Sequence, residues 1–329
     1  MRRALHCWTL VKLLGVSAVL VLSVHVLLRT KDVPRSPRPL TDAEFALVSP
    51  LTYRFIHNQP AVCARSPAPF LLFLVPVSPQ EAEARGAVRR TWSSPPSPPS
   101  PPSPHEETLT TLTLFFMGVT EDRGQVSSLQ EESTRHSDII QMDFLDTYQN
   151  LTVKTVMMMN WASTFCPNAS YVMKVDADIF VNVFFLLPWL RNSPRHDFIT
   201  GSVIGDGRPR RDRNSKWSLT EDQFPEDRFP PYVSGAGYVL SADLAARIAW
   251  ASRFVRVVPL EDVYVGLCLR VLGVRPSYAL AGFTLRNLFE IRNLEYDRCV
   301  FSRLIIVNGF KPGKLLRAWQ DFSTRHNSC

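Results

Sequence analysis

The residues of this chain best suited to chemistry are two carboxylates set one apart, Asp176-Ala177-Asp178, directly after the apolar stretch Tyr171-Val-Met-Lys-Val175. A short continuous apolar run reads as a strand buried on both faces. Ligands of open α/β sheets bind beyond the carboxyl ends of such strands. Two acids there suit a hard divalent cation, Mg²⁺ or Mn²⁺, whose octahedron diphosphate oxygens and water would complete. The cation would neutralise the charge that develops on a departing nucleoside diphosphate. An Asp-x-Asp turn can also simply cap the segment that follows it, so its place after a buried strand carries the reading.

A second acidic pair, Glu261-Asp262, opens a helical-looking segment that runs to Leu272. Acids are favoured at the positive end of any helix without a function. The chemical reading is a general base that takes the proton from an acceptor hydroxyl, a role that needs no covalent nucleophile. Arg85 and Arg89 lie four apart on one helix face; they suit diphosphate oxygens, or are solvated surface arginines. Lys174, inside the strand, can reach phosphate or snorkel to solvent. Ser234-Gly235-Ala236-Gly237 offers backbone that a ligand approaches closely, or a tight turn. Trp217 is a platform for the apolar face of a sugar or a core residue. Trp92 and Met157-Met-Met159 read as core filling.

These residues need a framework, and the sequence supplies alternating strands and helices. Strand-like runs lie at Phe70–Val77, Thr108–Met117, Asp138–Phe144 and Tyr171–Val175; helical spacing marks Gln80–Trp92, Gln125–His136 and Val153–Phe165. The alternation implies βαβ units, a mainly parallel sheet and one α/β domain over residues 51–329. Residues 93–104 form a Ser-Pro-Pro tract inside that alternation, poor in the N–H groups and apolar side chains a core requires, and read as an exposed loop.

Ahead of the domain, an apolar run from Trp8 to Leu28 is interrupted only by Lys12 and His25. At about 1.5 Å per residue it can just cross a bilayer. No small-x-small cleavage site follows, so residues 8–28 are expected to be an uncleaved signal anchor, with a short tail at 1–7 and a Pro- and charge-rich stem at 29–50. Asn150-Leu-Thr152 and Asn168-Ala-Ser170 have the form of glycosylation acceptors. Beyond the apolar run stand Cys63, Cys166, Cys268, Cys299 and Cys329, without a CxxC pair, so scattered disulfides plus one odd thiol are expected. The net charge of +7 is spread among acids and does not form a nucleic-acid footprint.

The segment Tyr171–Asn182 resembles the metal-binding stretch of β-1,3-galactosyltransferases and their β-1,3-N-acetylglucosaminyltransferase relatives. Five further stretches match in the same order: Arg85–Trp92, Asp143–Thr152, Ser215-Lys-Trp217, Phe229–Tyr238 and Leu260–Arg270. The resemblance runs from about Tyr53 to the C-terminus, and an ordered set of six is far more specific than any member. It implies a GT-A type, Rossmann-like fold, a UDP-galactose donor, Mn²⁺, inversion at the anomeric carbon and a glycan acceptor. It places the base at Asp262, with Glu261 as positioning residue or alternative base. Asp176 and Asp178 would hold the metal, and Arg85, Arg89, Lys174, Asp176 and Ala177 would line the donor. Trp217, Gly235, Ala236 and Gly237 would lie near the sugars. A single-pass type II protein of the Golgi membrane, with a lumenal catalytic domain, is the matching expectation.

Three departures accompany the resemblance. Asn308 stands where relatives carry a metal-ligating His and offers only a neutral oxygen. The stretch from Gly282 to Asp297 lacks their aromatic-His pattern, and Val233 replaces a frequent Cys. Two other readings stay open at this point: a UDP-N-acetylglucosamine donor, and a non-catalytic lumenal binding protein.

Overall fold

An eight-stranded sheet runs through the protein, and four neighbouring strands of it are the apolar runs of the sequence. The computed structural model describes residues 53–64, 68–94, 109–120, 122, 124–278 and 290–329. The expected anchor, the stem and residues 95–104 of the Pro-Ser tract lie outside them, and among the described residues no helix is long and apolar enough to cross a membrane.

The four central strands are Leu71–Pro76 (β2), Thr111–Val119 (β3), Ile139–Leu145 (β4) and Tyr171–Val175 (β5). They lie in the order β4-β3-β2-β5 and pair in parallel, as the alternation with helices requires. The sheet is less uniformly parallel than expected. Phe55–His57 (β1) joins β4 antiparallel; beyond β5, Tyr232–Ser241 (β8) and Ile199–Ile204 (β7) are antiparallel, and Ser277–Tyr278 (β9) closes the edge.

Helices cover both faces. Leu72 and Leu74 point into a core shared with Leu151–Phe165 (α3), Ala242–Ala251 (α5) and Glu261–Leu272 (α6). Leu71, Phe73 and Val75 point into a second core, shared with Ala82–Arg89 (α1), Val183–Arg191 (α4) and Pro312–Arg325 (α8). Burial on two faces is why β2 and β5 carry no polar alternation; all their residues are buried. Gly124–His136 (α2) sends Leu129, and Arg298–Phe301 (α7) sends Phe301, into the second core.

A three-stranded sheet, Glu290–Arg292 (β10), Ile306–Asn308 (β11) and Ile179–Val181 (β6), stands immediately after the Asp-x-Asp turn. Disulfides join Cys63 to Cys166 and Cys299 to Cys329, leaving Cys268 buried and free on α6. The expected odd thiol is therefore Cys268.

Candidate active site

The end of β5, the middle of β8 and the start of α6 meet at one place, and each chemical candidate there is set by its element. Antiparallel pairing puts Val175 opposite Gly237, and the Asp176 N–H donates to the Ala236 carbonyl at 3.1 Å. The glycine-containing stretch Gly235–Gly237 is thus strand rather than turn, lying against the carboxylates. A Cβ on Gly235 would stand 2.5 Å from Glu261 Oε1 and 3.4 Å from Asp262 Oδ2, so only glycine allows α6 to approach β8 this closely.

Lys174 is the hub. Its side chain is 1% exposed, and Nζ lies 2.7 Å from Asp176 Oδ1 and 3.0 Å from Glu261 Oε1 while also donating to the Gly235 carbonyl. Burial opposes its charge, but Asp176 and then Glu261 overcome that and hold the ammonium pKa above its ordinary value. Lys174, expected at donor phosphate or snorkelling to solvent, instead bridges the two acid pairs.

The members of the second acid pair have different surroundings. Glu261 is 4% exposed, and Oε2 accepts from Tyr238 at 3.3 Å and Thr155 at 3.4 Å. Burial drives its pKa up to about 7, with Lys174 pulling the other way. Asp262 is more open. Its Oδ2 accepts the Gly235 N–H at 3.2 Å and Oδ1 the Val263 N–H at 2.8 Å, and burial again raises the carboxyl pKa above the usual range. Asp262 is therefore the less buried of the two carboxylates, while Glu261 is enclosed and acts on the site's shape.

Asp178 follows Asp176 at the strand end. Its carboxyl pKa is raised, first by desolvation and next by the Asp176 charge, a concentration of negative charge that a cation relieves. No third His, Cys, Asp or Glu joins them among the described residues. Two carboxylates alone would suit Mg²⁺ or Mn²⁺ only with outside oxygens completing the octahedron. Asn308 sits nearby in register, opposite Ile179, and the next two residues, Gly309 and Phe310, donate their N–H groups to the Asp178 carbonyl at 3.2 and 2.8 Å. The Trp92 indole donates to the Ile179 carbonyl at 2.9 Å, so this core tryptophan also fixes the turn.

Two of the expected donor ligands have other partners. The Arg85 guanidinium is 1% exposed; it pairs with Glu132 at 2.6 Å and donates to the Ser78 and Pro79 carbonyls. Arg89 pairs with Glu132 at 2.7 Å and with Asp138 at 2.7 Å, over the Phe115 ring. Acids from α2 and from the turn before β4 pair with both, and the two arginines fasten α1 to α2. Trp217, by contrast, is 38% exposed and shares its wall with Tyr148. Of the two glycosylation sequons, Asn168 lies exposed in a turn, whereas Asn150 donates its amide to the Leu145 carbonyl and Thr152 is buried.

Sequence reasoning did not pick out Tyr148, Thr155, Tyr232 or Tyr238 individually. Tyr148, Tyr232 and Tyr238 all lie inside stretches that carry the family resemblance, which was the available signal. The Tyr232 hydroxyl pKa is pushed up to about 12 by burial and then by the Asp262 charge, which places it at the same site.

A family profile described as Galactosyltransferase matches residues 83–279. Beta-1,3-galactosyltransferase 1 of Mus musculus is 39% identical over 286 residues, covering 86% of this chain and 82% of its own. Beta-1,3-galactosyltransferase 2 of Mus musculus is 38% identical over 287 residues; the match takes in 84% of this chain and 64% of that relative, less than two thirds of its length. Among solved structures, the apo form of the WbbM bifunctional glycosyltransferase is similar over 79% of this chain and 50% of that one at 8% identity and a TM-score of 0.39, too loose a likeness to carry an argument. The profile spans Asp176, Asp178, Glu261 and Asp262, the four acids that the fold gathers at one strand end, and the chain belongs to the galactosyltransferase family.

Proposed function

We propose that this chain is an inverting, GT-A type glycosyltransferase that moves galactose from UDP-galactose to the 3-hydroxyl of an acceptor sugar, forming a β-1,3 linkage. The observation that carries the reading is the placement of Asp262. A partly buried carboxylate, oriented by the Gly235 and Val263 N–H groups, stands beside Gly235, whose carbonyl accepts from the same Lys174 that pairs with Asp176. Asp262, with its raised proton affinity, takes the proton of the acceptor hydroxyl as that oxygen attacks the anomeric carbon. Asp176 and Asp178 would hold a divalent cation, which when bound supplies charge neutralisation at the leaving diphosphate. Lys174 and Glu261 keep the two carboxylate groups in mutual register, and Gly235 lets α6 close on them.

The same reading includes a membrane-anchored, lumenal protein of the Golgi, supported by the apolar run at residues 8–28 and the two sequons. Protease protection of the body in intact microsomes tests that orientation.

UDP release from UDP-galactose across N-acetylglucosamine-, N-acetylgalactosamine- and galactose-terminated acceptors tests the reaction. Asp262→Asn is expected to lower kcat about 10²–10⁴-fold with UDP binding retained. Product formed only from UDP-N-acetylglucosamine would reject the donor. Unchanged turnover in Asp262→Asn would reject the base.

A further inference from the structure

Beside Asp262 stands an aromatic wall with two cations on it. Trp217 is 38% exposed and Tyr148 43% exposed. The Arg210 guanidinium lies 4.7 Å from the centre of the Trp217 ring; Lys216 Nζ lies 4.6 Å from that ring and 5.8 Å from Tyr148. Both cations are on exposed residues, and among the described residues no carboxylate forms an ion pair with either.

Tyr148 sits in the turn that leads into α3, and α3 is fastened at the start of α6, with Thr152 donating to the Val258 carbonyl at 2.7 Å and Thr155 to Glu261 Oε2 at 3.4 Å, so the wall stands at the Asp262 end of the site. After burial, the largest influence that raises the Tyr148 hydroxyl pKa is Asp262, ahead of Glu261 and Asp176. Tyr232 feels Asp262 first and then Arg292, Asp206 and Arg210, so the carboxylate and the guanidinium share a neighbour. A general base must touch the acceptor hydroxyl, so the groups around Asp262 away from the Asp176 turn meet the rest of the acceptor. A neutral sugar would use the ring faces alone. Two basic side chains with no carboxylate ion-paired to them among the described residues, held on those rings by cation–π contact, suit a ligand with an apolar sugar face and a negative group together. The guanidinium fork matches a carboxylate or a sulfate, and the ammonium adds a point charge.

We infer that the Trp217–Tyr148 wall, with Arg210 and Lys216, selects acceptors that carry an anionic substituent, a carboxylate or a sulfate, next to the sugar receiving galactose. This rests on the galactosyl-transfer reading above and names the acceptor class for it.

Equilibrium binding to the full chain tests the inference directly, by titration calorimetry with N-acetylglucosamine 6-sulfate, an N-acetylglucosaminyl-glucuronic acid disaccharide and their neutral counterparts. One or both anionic ligands should bind about tenfold more tightly than the matched neutral sugar, a gap that narrows as salt is raised. The arm that shows the gap identifies sulfate or carboxylate. In Arg210→Ala/Lys216→Ala the gap should close while the affinity for UDP stays the same. Equal affinity of the wild type for charged and neutral sugars overturns the inference. So does a double variant that loses UDP affinity and keeps the gap, because the cations would then serve the donor. Turnover read in parallel separates the two claims. Galactose transfer with no anionic preference in binding sinks this inference alone; an anionic gap in binding with no transfer to any sugar sinks the galactosyl-transfer reading and leaves the recognition standing.

Discussion

Lys174 and Glu261 form a buried ion pair, Nζ to Oε1 at 3.0 Å, that joins the strand bearing one acid pair to the helix bearing the other. Above about pH 7, where Glu261 is ionised, removing Lys174 leaves that buried charge unmatched, a loss of about 3–5 kcal/mol. Lys174→Met is expected to lower the urea midpoint accordingly, and Lys174→Met/Glu261→Gln to recover a large part of the loss. Urea unfolding of the two variants checks this; a single variant as stable as the wild type would show that the bridge contributes nothing.

Glu261 gives stability a pH dependence with a defined sign. Its carboxyl holds a proton up to about 7, against an ordinary 4.5, because it is buried. Between those values the folded protein binds more protons than the unfolded chain, so this group's contribution is full below about pH 4.5 and falls as pH rises toward 7. The melting temperature of the wild type relative to Glu261→Gln should therefore decline over that window and level off above it. A difference that grew with pH would contradict the assignment.

Gly235 and Gly86 make a matched pair of alanine substitutions. At Gly235 the new methyl would meet Glu261 Oε1 at 2.5 Å; at Gly86, inside α1, the nearest atom is the end of the Arg90 side chain at 3.9 Å. Gly235→Ala is expected to lower stability by about 1–3 kcal/mol and to reduce kcat as α6 is pushed away. Gly86→Ala should stabilise by about 0.5–1 kcal/mol through helix propensity. Thermal melts and turnover of the two variants check the contrast.

Peptide mapping without reductant should return Cys63–Cys166 and Cys299–Cys329, with Cys268 as the thiol that alkylates only after unfolding. Cys63–Cys166 closes a span of 103 positions, so Cys166→Ser is expected to lose about 4.7 kcal/mol on the chain-entropy account.

The parts of this protein legible in the sequence are those set by local pattern. The bounds of β5 and α6 follow from unbroken apolar runs and an acidic helix start, and Asp176, Asp178 and Asp262 stand at element ends, where chemistry is exposed. Lys174 was legible as a residue and not as a role, because beyond its neighbour Asp176 its partners come from β8 and α6, about 60 and 90 positions away. Arg85 and Arg89 show the converse. Their spacing suits a diphosphate, but Glu132 and Asp138 neutralise them, and nothing local announces that a later helix will do so. The antiparallel β7–β8 pair also has no local signature, since its strands are separated by a long irregular stretch.

The carbonyl of Asp178 accepts the N–H groups of Gly309 and Phe310. The first acid pair thus owes its backbone shape to residues some 130 positions downstream. During synthesis the turn emerges from the ribosome long before those two amides exist, so it must wait in an unfinished form while the rest of the polypeptide is made. Chains halted short of Gly309 would hold a formed β5 whose acid turn lacks that backbone support.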